Sequence, residues 1–294
     1  MKQLFSALIM LFSGILTAFA QEEAYQLYLD SIEQTIRYEK GTIELSNGVG
    51  KILVPDGFKY LDAQQAENIL VNVWGNPYYE HMTLGMLLRE DQKVTGMDGY
   101  VFNIEYDEIG YVKDKDADKI NYDDLLKDLQ KETKAANEER VKQGYEPVEI
   151  VGWAAKPFYD KEHKILHWAK ELKFGESELN TLNYNIRILG RKGVLELNAI
   201  STVNELSLVE KDLKHVLNIV QFNDGYKYKD FDPSVDEVAS WTIGGLVAGK
   251  VLAKAGFFAL LLKFWKFIAV GAVALGGLVM KKIRGEKEEE ITEA

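Results

Sequence analysis

The chain has 294 residues, of which 28% are charged and 47% hydrophobic, and its formal net charge is −11. An acidic protein repels phosphate backbones, so we expect no nucleic acid among its partners. The chain contains no cysteine, which excludes disulfides, thiol catalysis and metal sites with cysteine ligands.

Residues 1–20 have the three parts of a cleavable secretory signal peptide. Lys2 supplies the basic start, Leu4 to Leu16 supply the apolar centre, and Ala18-Phe19-Ala20 is a small-x-small cleavage site. The sequence therefore predicts removal of residues 1–20 and export of the domain that follows, residues 21–240.

The exported region reads as a mixed sequence of helices and strands, which predicts an α+β fold with an antiparallel sheet. The predicted elements are a helix over residues 22–40 ending at Gly41, a hairpin of "TIEL" and "KILV", a helix over 62–74, strands "MTLGMLL" and "GYVFNIEY", a helix over 121–143, four strands between 148 and 200, and a helix over 203–220.

Asp114, Asp116 and Asp118 form a D-x-D-x-D sequence, the opening of many calcium loops, because alternate carboxylates of a turn can converge on one ion. An EF-hand would continue with glycine at the sixth position and glutamate at the twelfth, where this chain has Lys119 and Leu125. We keep these three aspartates as calcium candidates. The alternative is a solvated acidic loop before a helix, and no other cofactor is expected.

The helix that follows the aspartates has clear start and stop signals. Asn121 is a good N-cap, Asp123 and Asp124 favour the positive end of the helix dipole, and Gly144 ends the helix. Its polar composition predicts a surface helix held by one narrow apolar stripe.

The strands "VEIVGWA", "KILHWAKELKF", "LNYNIRIL" and "GVLELNAI" are joined by short connections and predict an antiparallel meander. Apolar and polar residues alternate in "LNYNIRIL", which predicts that one face of the sheet is solvated. His163 and His167 would be about 13 Å apart on a strand, too far to share a metal. Arg187 and Arg191 could bind an anion, although charged residues on a wet sheet face are the more common case.

Residues 241–257 contain glycine and lysine without any acidic residue or proline, which predicts an amphipathic juxtamembrane helix. Gly244, Gly245 and Gly249 would form a small-residue surface for close contact with another helix. Whether this helix lies on the membrane, enters it or packs within it stays open.

Residues 258–280 are about 34 Å long as a helix, enough to cross a bilayer. Lys263, Trp265 and Lys266 would mark one membrane boundary, and Lys281, Lys282 and Arg284 the other. The basic residues after the span predict a cytoplasmic tail of residues 281–294 and a periplasmic N-terminal domain, anchored by one span in a bacterial inner membrane. A hairpin with its tip at residues 263–266 is the alternative, but its return limb would be short.

Four stretches resemble a family of uncharacterised bacterial membrane-anchored proteins with a domain of unknown function, family 2167. They are "VKDKDADKINYDDLLKDLQKETKAANEER", "GWAAKPFYD", "LNYNIRILGRKGVLELN" and "GGLVAGKVLAKAG". The resemblance implies an envelope protein of the Gram-negative type and assigns no catalytic residue.

These patterns favour a membrane-anchored binding, scaffold or sensor module without a catalytic motif. Its contact surfaces would be the helix over 121–143 and the glycine-rich segment 244–249. The expected partners are the lipid bilayer and either another protein or further copies of this chain, joined through the membrane region. Two alternatives are a subunit of an oligomeric transporter or pore, and an envelope hydrolase or calcium-dependent enzyme.

Overall fold

The computed structural model describes residues 25–249, except residues 77, 79, 81, 97 and 98. The predicted signal peptide, the predicted span over 258–280 and the predicted tail lie outside the described residues. Within the described range, no helix combines the length and the apolar character that a membrane crossing requires.

The described residues form an α+β domain of three sheets and five α-helices. The strands are β1 Thr42–Glu44, β2 Gly50–Leu53, β3 Phe58–Asp62, β4 Gly85–Arg89, β5 Val101–Asp107, β6 Tyr111–Lys113, β7 Val148–Asp160, β8 Ile165–Phe174, β9 Thr181–Leu189, β10 Val194–Thr202, β11 Val220–Phe222 and β12 Val238–Thr242. The helices are α1 at 25–35, α2 Ala63–Asn68, a π-helix Ile69–Val73, α3 Tyr122–Lys142, α4 Leu206–Val216 and α5 Ile243–Ala248.

A seven-stranded antiparallel sheet is the centre of the domain, with the strand order β3-β4-β5-β10-β9-β8-β7. Strands β7 to β10 are neighbours in sequence and in space, which confirms the predicted meander. Strands β1, β2 and β11 form a separate three-stranded sheet, and β6 pairs with β12 in parallel.

The first face of the large sheet carries the main hydrophobic core. Apolar side chains such as Phe102, Tyr184 and Leu197 point to this face and are at most 2% exposed. They pack against Val209 and Val216 of α4 and against the three-stranded sheet. Because this face is apolar along every central strand, its burial supplies the largest share of the hydrophobic stabilisation.

The second face is covered at its two ends by different helices. At the β3–β4 end, α2 and the π-helix pack on Leu61, Met86 and Leu88. At the opposite end, α5 packs on Leu166 and Trp168, and α3 packs beside β7. The prediction of one solvated sheet face is therefore wrong, because helices from distant parts of the sequence cover that face.

Helix α3 begins and ends as the sequence predicts. The Asn121 side chain accepts the backbone N–H groups of Asp123 and Asp124, so the orphan donors of the first turn are satisfied. Asn137 exchanges two hydrogen bonds with the backbone of Val148, and Gln130 donates to Ile150. These side chains occupy main-chain groups at the edge strand β7, which protects that edge against pairing with another chain.

The N-terminal helix is shorter than predicted, because α1 ends at residue 35 rather than 40. Residue Glu39 instead pairs with Tyr60 of β3 through two backbone hydrogen bonds. Strand β3 itself was not predicted. Pairing of Glu39 with the edge of the sheet therefore takes the place of a further turn of α1.

Candidate functional site

The three aspartates of the D-x-D-x-D sequence have separate partners. Asp114 accepts hydrogen bonds from Lys164 Nζ at 2.8 Å and from the Tyr159 hydroxyl at 2.9 Å. Asp118 pairs with Lys161. Each carboxylate thus already has a cation or donor from the protein, and the three do not share one partner.

The remaining aspartate of that sequence, Asp116, stabilises the start of α5. It accepts the backbone N–H of Ile243 at 3.4 Å and that of Gly244 at 3.2 Å. Among the described residues, no group of three or more His, Cys, Asp or Glu side chains could hold a metal ion. Calcium binding stays a prediction, and this arrangement does not favour it.

Helix α5 places Gly244 and Gly245 of the predicted glycine surface inside the folded domain. Ile243 and Val247 are at most 1% exposed and pack with Trp168. The nearest atoms to a Cβ at Gly244 would belong to Ile120, in the loop before α3. The prediction of a glycine surface for contact with another membrane helix is therefore not supported at Gly244 and Gly245, where the neighbours belong to the same domain.

The predicted boundary between residues 240 and 241 lies inside strand β12, Val238–Thr242. The Thr242 side chain caps α5 by accepting the N–H of Gly245, and Gly249 follows the helix with a φ of 74°. The folded domain therefore continues to at least Ala248. The part of the predicted juxtamembrane helix beyond residue 249 lies outside the described residues.

The two histidines lie in different elements. His163 is in the turn between β7 and β8, where its Nδ1 is 2.7 Å from Asp160, whereas His167 is in β8 with its Nδ1 3.1 Å from the Tyr184 hydroxyl. Arg191 pairs with Asp236 at 2.7 Å. The two histidines thus have different partners, and the predicted placement of both on one strand is wrong, because His163 is in the turn.

A buried polar strip crosses the second face of the large sheet, between the two helix-covered ends. Its members are on the central strands and share this face: Asn103, Glu105, Lys170, Asn183, Asn185, Arg187, Glu196 and Asn198. Arg187 Nη1 is 2.8 Å from the Glu196 carboxylate and donates to Asn198 Oδ1 at 3.0 Å. Asn185 donates to Asn183 at 2.8 Å, so much of the strip is internally paired.

Two charged groups of the polar strip have shifted pKa values. Burial raises the pKa of Glu196 to about 7, although Arg187 opposes that shift. Burial, together with the positive charge of Arg187, lowers the pKa of Lys170 to about 8. Perturbed ionisable groups are typical of functional sites, but they also occur in structural ion-pair networks.

The exposure of the strip decides between those two interpretations. Lys170 is 4% exposed, Arg187 7% and Glu196 9%. A ligand would have to displace protein groups to reach them. We therefore interpret the polar strip as a buried structural network and look for a binding site on an accessible surface.

One accessible concave surface is a groove between α1 and α2, called here the α1–α2 groove. It has a volume of about 890 Å³ and is lined by residues from α1 to Glu39, by α2 with the π-helix, and by Tyr78. Gln65 joins its two walls, because its side chain accepts the Arg37 N–H at 2.8 Å, donates to the Arg37 carbonyl at 3.1 Å and donates to Asp62 at 2.6 Å.

The π-helix forms part of one groove wall. The Trp74 N–H donates to the Ile69 carbonyl, five residues back, and Asn76 donates through both its backbone and its side chain to Leu70. π-turns are rare and are frequent at functional sites. The extra residue per turn rotates Val71 and Asn72 relative to a regular α-helix, and both residues line the groove.

Sequence analysis missed this groove. Residues 62–74 are predicted as one helix, and no local sequence pattern distinguishes a π-turn from an α-helix. Ile32 and Ile36 pack against the apolar cluster under α2 and the π-helix, a contact between segments that are far apart in sequence. The sequence shows Tyr28 and Tyr78 only as aromatic residues, and the structure shows that both are exposed. Large exposed aromatic residues often mark interfaces.

Comparison with solved structures finds a match to the solution structure of cyanobacterial PsbP (CyanoP) from Synechocystis sp. PCC 6803. The sequences are 9% identical, the match covers 64% of this chain and 92% of that one, and the TM-score is 0.34. A likeness at this TM-score carries no argument about what the chain does. A search of curated proteins gives no match.

The sequence also matches a protein-family model, described as "Protein of unknown function (DUF2167)", over residues 37–277. The matched range includes every strand and helix described above except α1 and extends into the predicted span. It confirms the family resemblance found in the four quoted sequence stretches. Because the match covers most of the sequence, the chain belongs to the DUF2167 family.

Proposed function

We propose that this chain is a membrane-anchored envelope protein whose exported domain binds another protein through the α1–α2 groove. The signal-like residues 1–20, the apolar residues 258–280 and the basic residues after them support the anchoring. The shape and composition of the groove support the binding.

Ile32, Ile36 and the exposed Tyr78 line the groove, and the exposed Tyr28 precedes its lining residues on α1. Tyr28 is one helical turn before Ile32, so both lie on the same side of α1. Tyr28 is 47% exposed and Tyr78 is 62% exposed, whereas Ile32 and Ile36 are half-buried. Tyrosine is enriched at protein interfaces because it buries a large rigid surface and keeps a polar group.

The groove also has a polar rim. Gln64, Asn68 and Asn72 are exposed, and their amides can both donate to and accept from a partner backbone. Arg37 is exposed on the opposite wall. An apolar line inside a polar rim is the usual arrangement of a protein–protein interface. A volume near the upper end for small-ligand pockets, together with an open shape, favours a protein segment over a small molecule.

Site-specific photocrosslinking in native membranes tests this proposal. A photoreactive amino acid at position 28 or 78 of the full chain is expected to give the same crosslinked product, because Tyr78 lines the groove and Tyr28 lies one helical turn before its lining residue Ile32. The matched control is position 235, where Val235 is 72% exposed but outside the groove.

A second variant tests whether the product depends on the groove. With the probe at position 78, the Tyr28→Asp substitution is expected to remove most of the product, because it places a charge on the side of α1 that carries Ile32. An equal product from position 235, or no product from positions 28 and 78, would contradict binding at the groove.

A further inference from the structure

A second concave surface lies at the other end of the domain, between the β7–β8 turn and β11. It has a volume of about 590 Å³, within the range of small-molecule sites. Its lining includes Lys51, His163, Lys164 and Lys227, and the only carboxylate among its lining residues in the described chain is Asp224. This basic cleft contrasts with the net charge of −11 of the whole chain.

Lys164 is held in place at the basic cleft. Its φ of 60° is the one positive value among the described residues other than glycine, and a long side chain rarely adopts this backbone conformation. Its Nζ is 2.8 Å from the Asp114 carboxylate and 4.9 Å from the ring centre of Tyr228, which also lines the cleft. The ammonium group is thus positioned before any ligand binds.

The other basic groups of the cleft are available for a ligand. Lys51 is half-buried on β2, where its backbone pairs with β1 and β11, and its side chain has no hydrogen-bond or ion-pair partner in the part of the chain that the structure describes. Among the described residues, the Lys227 ammonium group forms an ion pair with Asp224, whose side chain is 96% exposed, and such a pair contributes little. A hydrogen bond to Asp160 raises the pKa of His163, which favours its charged form.

We infer that the basic cleft binds a phosphate-bearing anion. Three ammonium groups and an imidazole around one concavity match a group that carries more than one negative charge and several acceptor oxygens. Lysine binds phosphate as a point charge, so no fixed bidentate geometry is required. The phosphate can belong to a soluble metabolite or to a lipid headgroup, because both present the same oxygens. This site is separate from the α1–α2 groove, so either proposal can fail without the other.

Calorimetric titration of the purified full chain in an uncharged detergent tests the inference. The ligands are inorganic phosphate, glycerol 3-phosphate and short-chain phosphatidylglycerol. Short-chain phosphatidylcholine is titrated separately as the comparison lipid. We expect saturable binding of the phosphate ligands that weakens as salt is added. Tighter binding of phosphatidylglycerol than of glycerol 3-phosphate and of phosphatidylcholine would identify a lipid headgroup as the ligand. Tighter binding of glycerol 3-phosphate than of phosphatidylglycerol would identify a soluble ligand.

Two charge-removing variants and one control test whether binding occurs at the basic cleft. Lys51→Gln and Lys164→Asn are each expected to weaken binding about tenfold, the usual effect of losing one charged contact. Asparagine suits the positive φ at position 164, so that variant retains the fold. Lys93→Gln removes an exposed lysine outside the cleft and should leave binding unchanged. Absence of saturable binding, unchanged binding in both cleft variants, or an equal loss in Lys93→Gln would overturn the inference.

Discussion

Replacement of Arg187 by alanine is expected to lower the free energy of unfolding by about 3–5 kcal/mol at pH 8. Arg187 is 7% exposed and neutralises the 9% exposed carboxylate of Glu196 at 2.8 Å, while also donating to Asn198. Without the guanidinium, Glu196 must either carry an unpaired buried charge or remain protonated well above its ordinary pKa, and both destabilise the folded state. Urea unfolding of the full chain in detergent, followed by the circular dichroism of the sheet, measures the change.

A double variant is the control for the Arg187 prediction. Substitution of both partners, Arg187→Met with Glu196→Leu, removes the two charges and retains apolar volume. Its stability should be close to that of the wild type or above it, because a buried ion pair is often no better than a well-packed apolar pair. A loss in the double variant as large as in Arg187→Ala would show that packing, and not the unpaired charge, causes the effect.

The cost of Arg187→Ala should also depend on pH. Burial raises the pKa of Glu196 from 4.5 to about 7 in the folded chain. The folded state therefore holds a proton that the unfolded state has lost, and the resulting stability is present below pH 4.5 and is lost as pH rises through 7. Without Arg187 the folded pKa rises further, so the carboxyl stays neutral to higher pH.

The substitution should therefore cost more at pH 8 than at pH 5, by about 1.4 kcal/mol, because pH 8 is about one unit above the folded pKa of Glu196. Measurements stop at pH 8 because Lys170, whose pKa is lowered to about 8, begins to lose its proton there. Equal costs at pH 5 and pH 8 would contradict the assignment of the effect to the Glu196 charge.

Replacement of Trp168 by alanine is expected to cost about 3–5 kcal/mol of unfolding free energy. Trp168 is 1% exposed and packs with Ile243, Leu246 and Val247, so its removal leaves a cavity between β8 and α5. Its indole nitrogen has no hydrogen-bond partner in the described structure, so the cost comes from lost packing and from the lost contact with the Arg187 guanidinium, 5.5 Å from the ring centre. The same unfolding measurement applies, with Val235→Ala, at a 72% exposed position, expected to stay within about 0.5 kcal/mol.

The Trp168 variant should also release α5 from the domain. Limited proteolysis near residue 249 should be faster in Trp168→Ala than in the wild type, because α5 has six residues and depends on tertiary packing rather than on its own stability. Trp168→Phe should be intermediate in both measurements. Equal proteolysis rates in all three proteins would show that Trp168 does not anchor α5.

Local periodicity was sufficient to predict the centre of the sheet and helix α3. Residues 182–188 alternate between apolar and polar, and the strand they predict is present as β9. Asn121 and Gly144 bound α3 as expected. These signals come from residues a few positions apart, so the sequence contains them directly.

The strand β9 is predicted correctly, but the exposure of its polar face is not. Asn183, Asn185 and Arg187 were expected in water but are at most 8% exposed. Alternation shows that the two faces of a strand differ, and it does not show whether the polar face is covered. That depends on elements such as α2 and α5, which are far away in sequence and lie on the same face of the sheet.

The glycine-rich segment shows the same limitation. Gly244 and Gly245 have the composition of a membrane-helix contact, but Asp116, more than a hundred residues earlier, stabilises the start of their helix. The parallel pairing of β6 with β12 brings the two segments together, and strands this short have no reliable sequence pattern. The α1–α2 groove was missed for a related reason, since it depends on the contact of Gln65 with Arg37.

The central claim is that the α1–α2 groove faces the exported side of a membrane in which the chain is anchored. Because the chain has no cysteine, one introduced cysteine is a unique chemical label. Tyr78→Cys should react with a membrane-impermeant maleimide in intact spheroplasts, because Tyr78 is 62% exposed at the groove. Ala294→Cys should react only after the membrane is opened. Reaction of Ala294→Cys in intact spheroplasts, or protection of Tyr78→Cys until lysis, would contradict the account.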